Sequence, residues 1–215
     1  MTAPGIGIVD YQMGNLRSVE WAFAHLGARP IWVRTPADMD ACDIVVLPGV
    51  GAFPRAMREL AAMELEAPLA AWLAAEKPFL GICLGFQLLF EHSEEDTGAR
   101  GFGAFPGRIT RLPATDAEGA RYKIPQIGWN RVQAVPADAG NPWQPFDGEY
   151  VYFVHTFAAP AGLALPALET TYSAPLTAAV ARGPIWGTQF HPERSGRVGL
   201  AVLRHFLQKV VAWAP

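Results

Sequence analysis

Phe79-Leu80-Gly81-Ile82-Cys83-Leu84-Gly85-Phe86-Gln87 joins a short apolar run to a Gly-x-Cys-x-Gly turn, and a second apolar stretch, Phe86 to Phe90, follows it. The first run reads as a buried strand. A strand-to-helix turn of this composition is the pattern of a nucleophile elbow, which holds its central residue in a strained position. The glycines leave room for close backbone approach. Cys83 then sits at a helix N-terminus, where peptide dipoles favour the thiolate, the form that attacks carbon. The N–H of Leu84 points toward whatever oxygen becomes negative. Taken alone, the same residues also fit a buried cysteine between two turn glycines.

A cysteine nucleophile needs a base, and the base needs an orienting group. Thr188-Gln189-Phe190-His191-Pro192-Glu193 supplies both after another apolar strand, Ile185 to Thr188. In an extended segment His191 and Glu193 project to one side. Glu193 can then hold the imidazole in one tautomer and stabilise its charged form.

Around these segments the first half of the chain alternates strand and helix. Strands are predicted at Ile6–Val9, Pro30–Val33 (at an edge), Ile44–Leu47 and Phe79–Cys83, with helices over Asn15–Leu26 and roughly Leu65–Glu76. Such alternation predicts a parallel sheet with helices on both faces. Ligands of these sheets bind beyond the carboxyl ends of the strands, where Gly49, Cys83 and His191 fall. The second half is richer in strands, with candidates at Arg108–Arg111, Arg131–Ala134, Tyr150–His155, Glu169–Tyr172, Ala178–Ala181 and Ile185–Gln189, which predicts an antiparallel extension. A final helix is predicted over Val198–Val211. Ala114–Gly119 and Ala137–Gly140 are loops by composition.

The 215 residues fit one domain, 1–215, large enough to bury a core. Net charge is −3, from 20 acidic and 17 basic residues, with no dense basic patch, which argues against a nucleic-acid surface. The two cysteines, Cys42 and Cys83, form no disulfide framework and suit a reducing compartment. The N-terminus lacks the features of a signal peptide, and no segment is apolar and long enough to span a bilayer. The expected location is cytoplasmic.

The cysteine elbow and the His-Pro-Glu segment together resemble the class I (triad) glutamine amidotransferase family. Asp10 to Val19, Leu47-Pro48-Gly49-Val50-Gly51-Ala52-Phe53, Ile127-Gly128-Trp129-Asn130 and Tyr152-Phe153-Val154-His155-Thr156 narrow the resemblance to its branch of imidazole glycerol phosphate synthase glutaminase subunits. The matches run from Asp10 to Glu193. Two departures stand out. Arg194 occupies a position more often lysine, and Leu112 to Tyr122 has no recognisable counterpart.

The resemblance implies a flavodoxin-like α/β fold and glutamine as substrate. It implies Cys83 as nucleophile, His191 as general base and acid, and Glu193 as orienter. The second oxyanion donor comes from the Gly49–Gly51 loop, through Val50 or Gly51, beside Leu84. The Val50–Gly51 peptide is expected to turn over. Gly49, Gln87, Glu95, Thr156 and Phe157 become substrate contacts, with Glu95 against the ammonium group and Thr156 and Phe157 offering backbone groups to the carboxylate. No cofactor or metal is implied. The partner implied is a (β/α)8-barrel cyclase in a heterodimer, with Met13, Asn15, Trp129, Asn130, Tyr152 and Arg194 at the interface.

Simpler readings stand beside several of these. Glu94-Glu95-Asp96 fits a solvated acidic run, and Ile127 to Asn130 a turn with a packed Trp. His25, His92 and His205 read as structural residues on helices, and Cys42 as inert. For His155, capping, interface and substrate roles remain open. The competing functions are the glutaminase subunit of pyridoxal phosphate synthase, whose Gly-Gly-Glu-Ser loop is absent here, a silent flavodoxin-like binding module, and another thiol hydrolase.

Overall fold

In the computed structural model, which describes residues 3–14, 16–136 and 138–211, the chain begins with β1 (Gly5–Val9), α1 (Leu16–His25), β2 (Arg29–Val33) and β3 (Ile44–Gly49). Helices α2 (Phe53–Ala62) and α3 (Glu66–Ala74) lead to β4 (Phe79–Cys83), the single turn α4 (Leu84–Gln87), β5 (Phe90–Ser93), β6 (Asp96–Arg100) and β7 (Phe105–Arg111). Then come β8 (Gln126–Arg131), β9 (Gln133–Val135), β10 (Tyr150–His155), β11 (Phe157–Ala158), β12 (Ala167–Thr171), β13 (Pro175–Arg182), β14 (Ile185–Thr188) and α5 (Gly196–Val211).

The main sheet has eight strands in the order β2-β1-β3-β4-β14-β13-β12-β9. The pairs from β2 to β14 are parallel, and those from β14 to β9 antiparallel. This is the expected α/β sheet with its antiparallel extension, and β2 lies at the edge as Pro30 suggested. Strands β1, β3 and β4 are buried at every residue because both faces are covered, whereas the edge strand β2 opens on exposed Arg29. Alternation divides them. Ile44 and Val46 of β3 join α1 and α5 in one core, with Phe23, Leu203, Phe206 and Trp186. Val45 and Leu47 join α2, α3 and α4 in the other, with Phe53, Leu60, Leu69 and Phe86.

Several expectations are corrected. Helix α2 was not foreseen, although Phe53, Ala56, Met57 and Leu60 mark one buried face at helical spacing. The strand expected at Arg131–Ala134 is two strands, β8 and β9, broken where the Val132 N–H turns to the Glu149 carbonyl at 2.9 Å. Ile127 to Asn130 is therefore strand rather than turn, and β8 pairs with β10 as a separate antiparallel ribbon. Residues beyond Gln87 leave the helix at once for β5, which carries His92, so that histidine lies on a strand. Glu94 and Glu95 form the β5–β6 corner, and Asp96 opens β6. The strand expected at Arg108–Arg111 lies in β7, but it belongs to a separate four-stranded sheet, β11-β7-β5-β6, rather than to the extension of the main sheet. Asn15 and Ala137 lie outside the described residues.

The elbow is packed so closely that its glycines cannot carry a side chain. A Cβ on Gly81 would meet the Gly85 carbonyl oxygen at 2.7 Å, and one on Gly85 would overlap the Leu47 carbonyl of β3. Gly85→Ala is therefore expected to cost about 3 kcal/mol or more by overpacking, seen as a lower urea midpoint. An unchanged midpoint would show that α4 is free to move away from β3.

Candidate active site

Three neighbouring parallel strands deliver their carboxyl ends to one place. Gly49 of β3 is in register with Cys83 of β4, and Thr188 of β14 with Ile82. Cys83 adopts φ 54° and ψ −104° at the cap of α4, a left-handed φ that a non-glycine residue holds only under constraint. The strained elbow expected from Gly-x-Cys-x-Gly is present. The helix behind it is only one turn long.

His191 follows β14, but the segment after it is not extended. Pro192–Arg194 forms a 3-10 turn. That turn still brings the side chains together, with Nδ1 of His191 2.7 Å from Oε1 of Glu193 and both side chains buried. Burial opposes the charged imidazolium, yet Cys83 and Glu193 outweigh it and push the His191 pKa up to about 10. The imidazole thus rests protonated at neutral pH, with its Nδ1–H donated to Glu193. Its Nε2 makes no completed hydrogen bond in the resting site, as is common in unliganded enzymes.

On the other side of Cys83 lies the Gly49–Gly51 loop. The Val50 N–H donates to the Met13 carbonyl at 3.2 Å. That commitment removes Val50 from the oxyanion site in this state. The peptide whose turning would free that N–H is Gly49–Val50, rather than the expected Val50–Gly51. Gly51 has φ +109°, where side chains are strained.

A cleft of about 310 Å³ opens over the sulfur, and it brings together Val50, Gly51, Cys83, Leu84, Gln87, Glu95, Thr156 and Phe157 with Pro125, Val154 and His155. Glu95 reaches it while one carboxylate oxygen accepts the Phe53 N–H at 2.7 Å. The Thr156 carbonyl already accepts the Leu112 N–H, and that of Phe157 accepts from Gln87 and His155. Only their N–H groups could therefore meet a carboxylate. Gly49 is not part of the cleft. It lines a smaller crevice behind the loop with Gly14, His191, Glu193 and Arg194.

The residues assigned to a partner face divide. Trp129 is 52% exposed on the outer face of the β8–β10 ribbon, beside exposed Ile127 and Tyr150. Its ring meets that of Tyr152 edge-on at 5.9 Å. Arg194 is exposed. Met13 is buried, so its side chain is not presented. Asn130 turns to the inner face, bonded to Gln126 and to the Thr171 carbonyl.

Three buried polar residues were missed or left open. Gln189 is fully buried, with its Nε2 3.7 Å from the Cys83 sulfur. Its place directly after β14, two residues before His191, was the available signal. Tyr11 is fully buried under the loop. A Cβ on Gly49 would overlap its hydroxyl, which has no hydrogen-bond partner. Burial and then the charge of Cys83 keep that phenol neutral. His155 donates Nδ1–H to the Phe157 carbonyl at 3.0 Å. Burial and the nearby His191 charge push its pKa down to about 4 despite that bond, so it is a neutral imidazole with a bare Nε2 at the cleft. His205, read as structural, bonds the Pro142 carbonyl through Nε2 at 2.8 Å. Cys42 is removed from this chemistry, its thiol pushed up to about 11 by burial.

Comparison with known proteins agrees with this geometry. Residues 7–210 match the family model described as glutamine amidotransferase class-I. Imidazole glycerol phosphate synthase subunit HisH of Shouchella clausii (strain KSM-K16) is 43% identical over 209 residues, covering 95% of this chain and 98% of the relative. The subunit of the same description from Aromatoleum aromaticum (strain DSM 19018 / LMG 30748 / EbN1) is 45% identical over 219 residues, covering 98% and 99%. Among solved structures, a glutamine amidotransferase superposes with a TM-score of 0.73 at 15% identity, over 96% of this chain and 98% of the other. The fold is that of the flavodoxin-like class I enzymes.

Proposed function

The chain belongs to the class I glutamine amidotransferase family, among the glutaminase subunits of imidazole glycerol phosphate synthase, and from that premise we propose how its residues hydrolyse glutamine and pass on the ammonia. The observation that carries the reading is the buried His191–Glu193 pair set behind a cysteine elbow at the floor of a cleft. The Cys83 thiolate attacks the side-chain amide carbon of glutamine. The developing oxyanion is met by the Leu84 N–H and, once the loop has turned, by the Val50 N–H. His191 gives its proton to the departing ammonia, and the C–N bond breaks to leave a glutamyl thioester. Water then donates a proton to His191, adds to the thioester and releases glutamate, returning sulfur to the thiolate. Glu95 faces the substrate ammonium group, and the Thr156 and Phe157 N–H groups face its carboxylate.

The ammonia acceptor is a (β/α)8-barrel cyclase that forms imidazole glycerol phosphate and an aminoimidazole carboxamide ribotide. This chain serves as a single domain that docks through the outer face of the β8–β10 ribbon, Tyr152 and Arg194. Aromatic side chains and arginine suit that role. Among the described residues no helix is long and apolar enough to cross a membrane. The two free cysteines fit a cytoplasmic complex.

The test is glutamate release and cyclase product formation by the two subunits mixed. Trp129→Ala is expected to weaken their association roughly tenfold to hundredfold, as for a central aromatic anchor, when the Kd is measured by titration. An unchanged Kd would move the interface off the ribbon.

A further inference from the structure

We propose that Gln189 is a hydrogen-bond donor to the reacting sulfur, and that its carboxamide is held in the donating orientation by a relay anchored on the backbone carbonyl of Phe157. The proposal rests on the assignment of Cys83 as nucleophile.

A carboxamide can present either its oxygen or its nitrogen, and neighbours decide which. Here the decision starts from a group that cannot flip. The Phe157 carbonyl is an acceptor only, so Gln87 must turn its nitrogen toward it, and the distance is 2.7 Å. That nitrogen carries two hydrogens. The second is directed to Oε1 of Gln189 at 3.1 Å. With its oxygen so engaged, Gln189 has only its NH2 group left for Cys83, 3.7 Å from the sulfur. Reversing Gln189 alone would set its nitrogen against the nitrogen of Gln87 and its oxygen against the sulfur. His155 donates to the same Phe157 carbonyl and reinforces the anchor. Gln189 is wholly enclosed and Gln87 nearly so, and in such surroundings an unmade or mismatched hydrogen bond is costly.

The sulfur also lies between two groups of opposite character. The Val154 carbonyl, 3.9 Å away, accepts and can serve only the protonated thiol. The Gln189 N–H donates and serves the thiolate. Gln189 therefore favours the attacking form and receives the sulfur again when the thioester is hydrolysed. Because the relay begins in the segment assigned to the substrate carboxylate, binding there and sulfur orientation share one set of hydrogen bonds.

Two variants test this. Gln189→Met keeps the length of the side chain without its donor. Gln189→Glu keeps the shape and the oxygen facing Gln87, but sets a second oxygen against the sulfur. Alkylation by iodoacetamide is followed on the full chain by peptide mass spectrometry, with Cys42 as the internal reference. kcat and KM for glutamine are measured in the complex with the cyclase. Gln189→Met is expected to slow Cys83 alkylation and lower kcat, each roughly tenfold to hundredfold, the scale of a hydrogen bond to a charged group. KM should stay within about twofold, and Cys42 alkylation should not change. Gln189→Glu should be slower still. Unchanged Cys83 alkylation in either folded variant overturns the proposal, as does a Glu variant as active as the native chain. Alkylation involves no glutamine, so a native chain that failed to release glutamate would refute the proposed function and leave this comparison intact.

Discussion

Cys83→Ala is expected to lower glutamine-driven synthesis by the complex by a factor on the order of 10⁴ or more, while synthesis driven by added ammonia continues. The mutation removes the sulfur that bonds covalently to the substrate carbon and leaves the cyclase untouched. His191→Ala should be nearly as damaging, because base and nucleophile act as one unit. Glu193→Gln should retain more activity. An amide in place of the carboxylate, 2.7 Å from Nδ1, still accepts a hydrogen bond but no longer holds the imidazolium charge. Parallel rates with glutamine and with ammonia decide the matter. Equal loss of both in a folded, assembled Cys83→Ala complex would sink the assignment, and a Glu193→Gln enzyme worse than Cys83→Ala would reverse the order of roles.

The second large effect concerns the resting state of the oxyanion loop. With the Val50 N–H tied to the Met13 carbonyl, one donor to the oxyanion is missing, and the loss of one such donor typically costs roughly 100- to 1,000-fold in turnover. The isolated chain is therefore expected to be a weak glutaminase. Turning the Gly49–Val50 peptide breaks one hydrogen bond and needs a glycine at position 49, where a Cβ would run into Tyr11 and Leu84. A partner can shift this equilibrium only through its differential affinity for the two states. The exposed Val50 side chain, at 45%, is available to report which state the partner meets. Glutamate release should be lowest for the chain alone, modest with the empty cyclase, and raised by the stated factor when the cyclase carries its nucleotide ligand, mainly in kcat. Full activity in the isolated chain would reject this restraint and leave the triad chemistry standing.

The sequence carried the parts of this molecule that obey local rules. The apolar runs at Ile44 and Phe79 could be read as buried strands because parallel strands covered on both faces leave no polar alternation. Cys83 could be read as an elbow because two glycines at that spacing permit a backbone approach that any Cβ would block. What could not be read depends on contacts distant in the chain. Strands β7 and β10 were legible in part or whole, but their partners β5 and β8 were not, because short strands of mixed exposure match loop as well as sheet. Asn130 and Trp129 are adjacent and face opposite ways, which only the strand at Ile127–Asn130 reveals. Glu95 looks like one of three solvated acids until its bond to the Phe53 N–H, 42 residues away, places it at the cleft. Gln189 and Tyr11 stayed invisible because burial of a polar side chain is decided by the assembled core.

Strand β14 is bonded in parallel to β4 on one side and antiparallel to β13 on the other, and that double tie fixes its length. A single inserted or deleted residue within it would break register with two neighbours at once and turn the Gln189–His191 segment to the wrong face. The same holds for β4 and its elbow. Segment 112–122 has looser ties, an isolated bridge between Thr115 and Arg121 and the Leu112 N–H bonded to the Thr156 carbonyl, and would absorb a change of length at lower cost. Two stretches of nine residues, 79–87 and 185–193, are thus constrained in spacing as well as in the identity of their elbow glycines and reacting side chains.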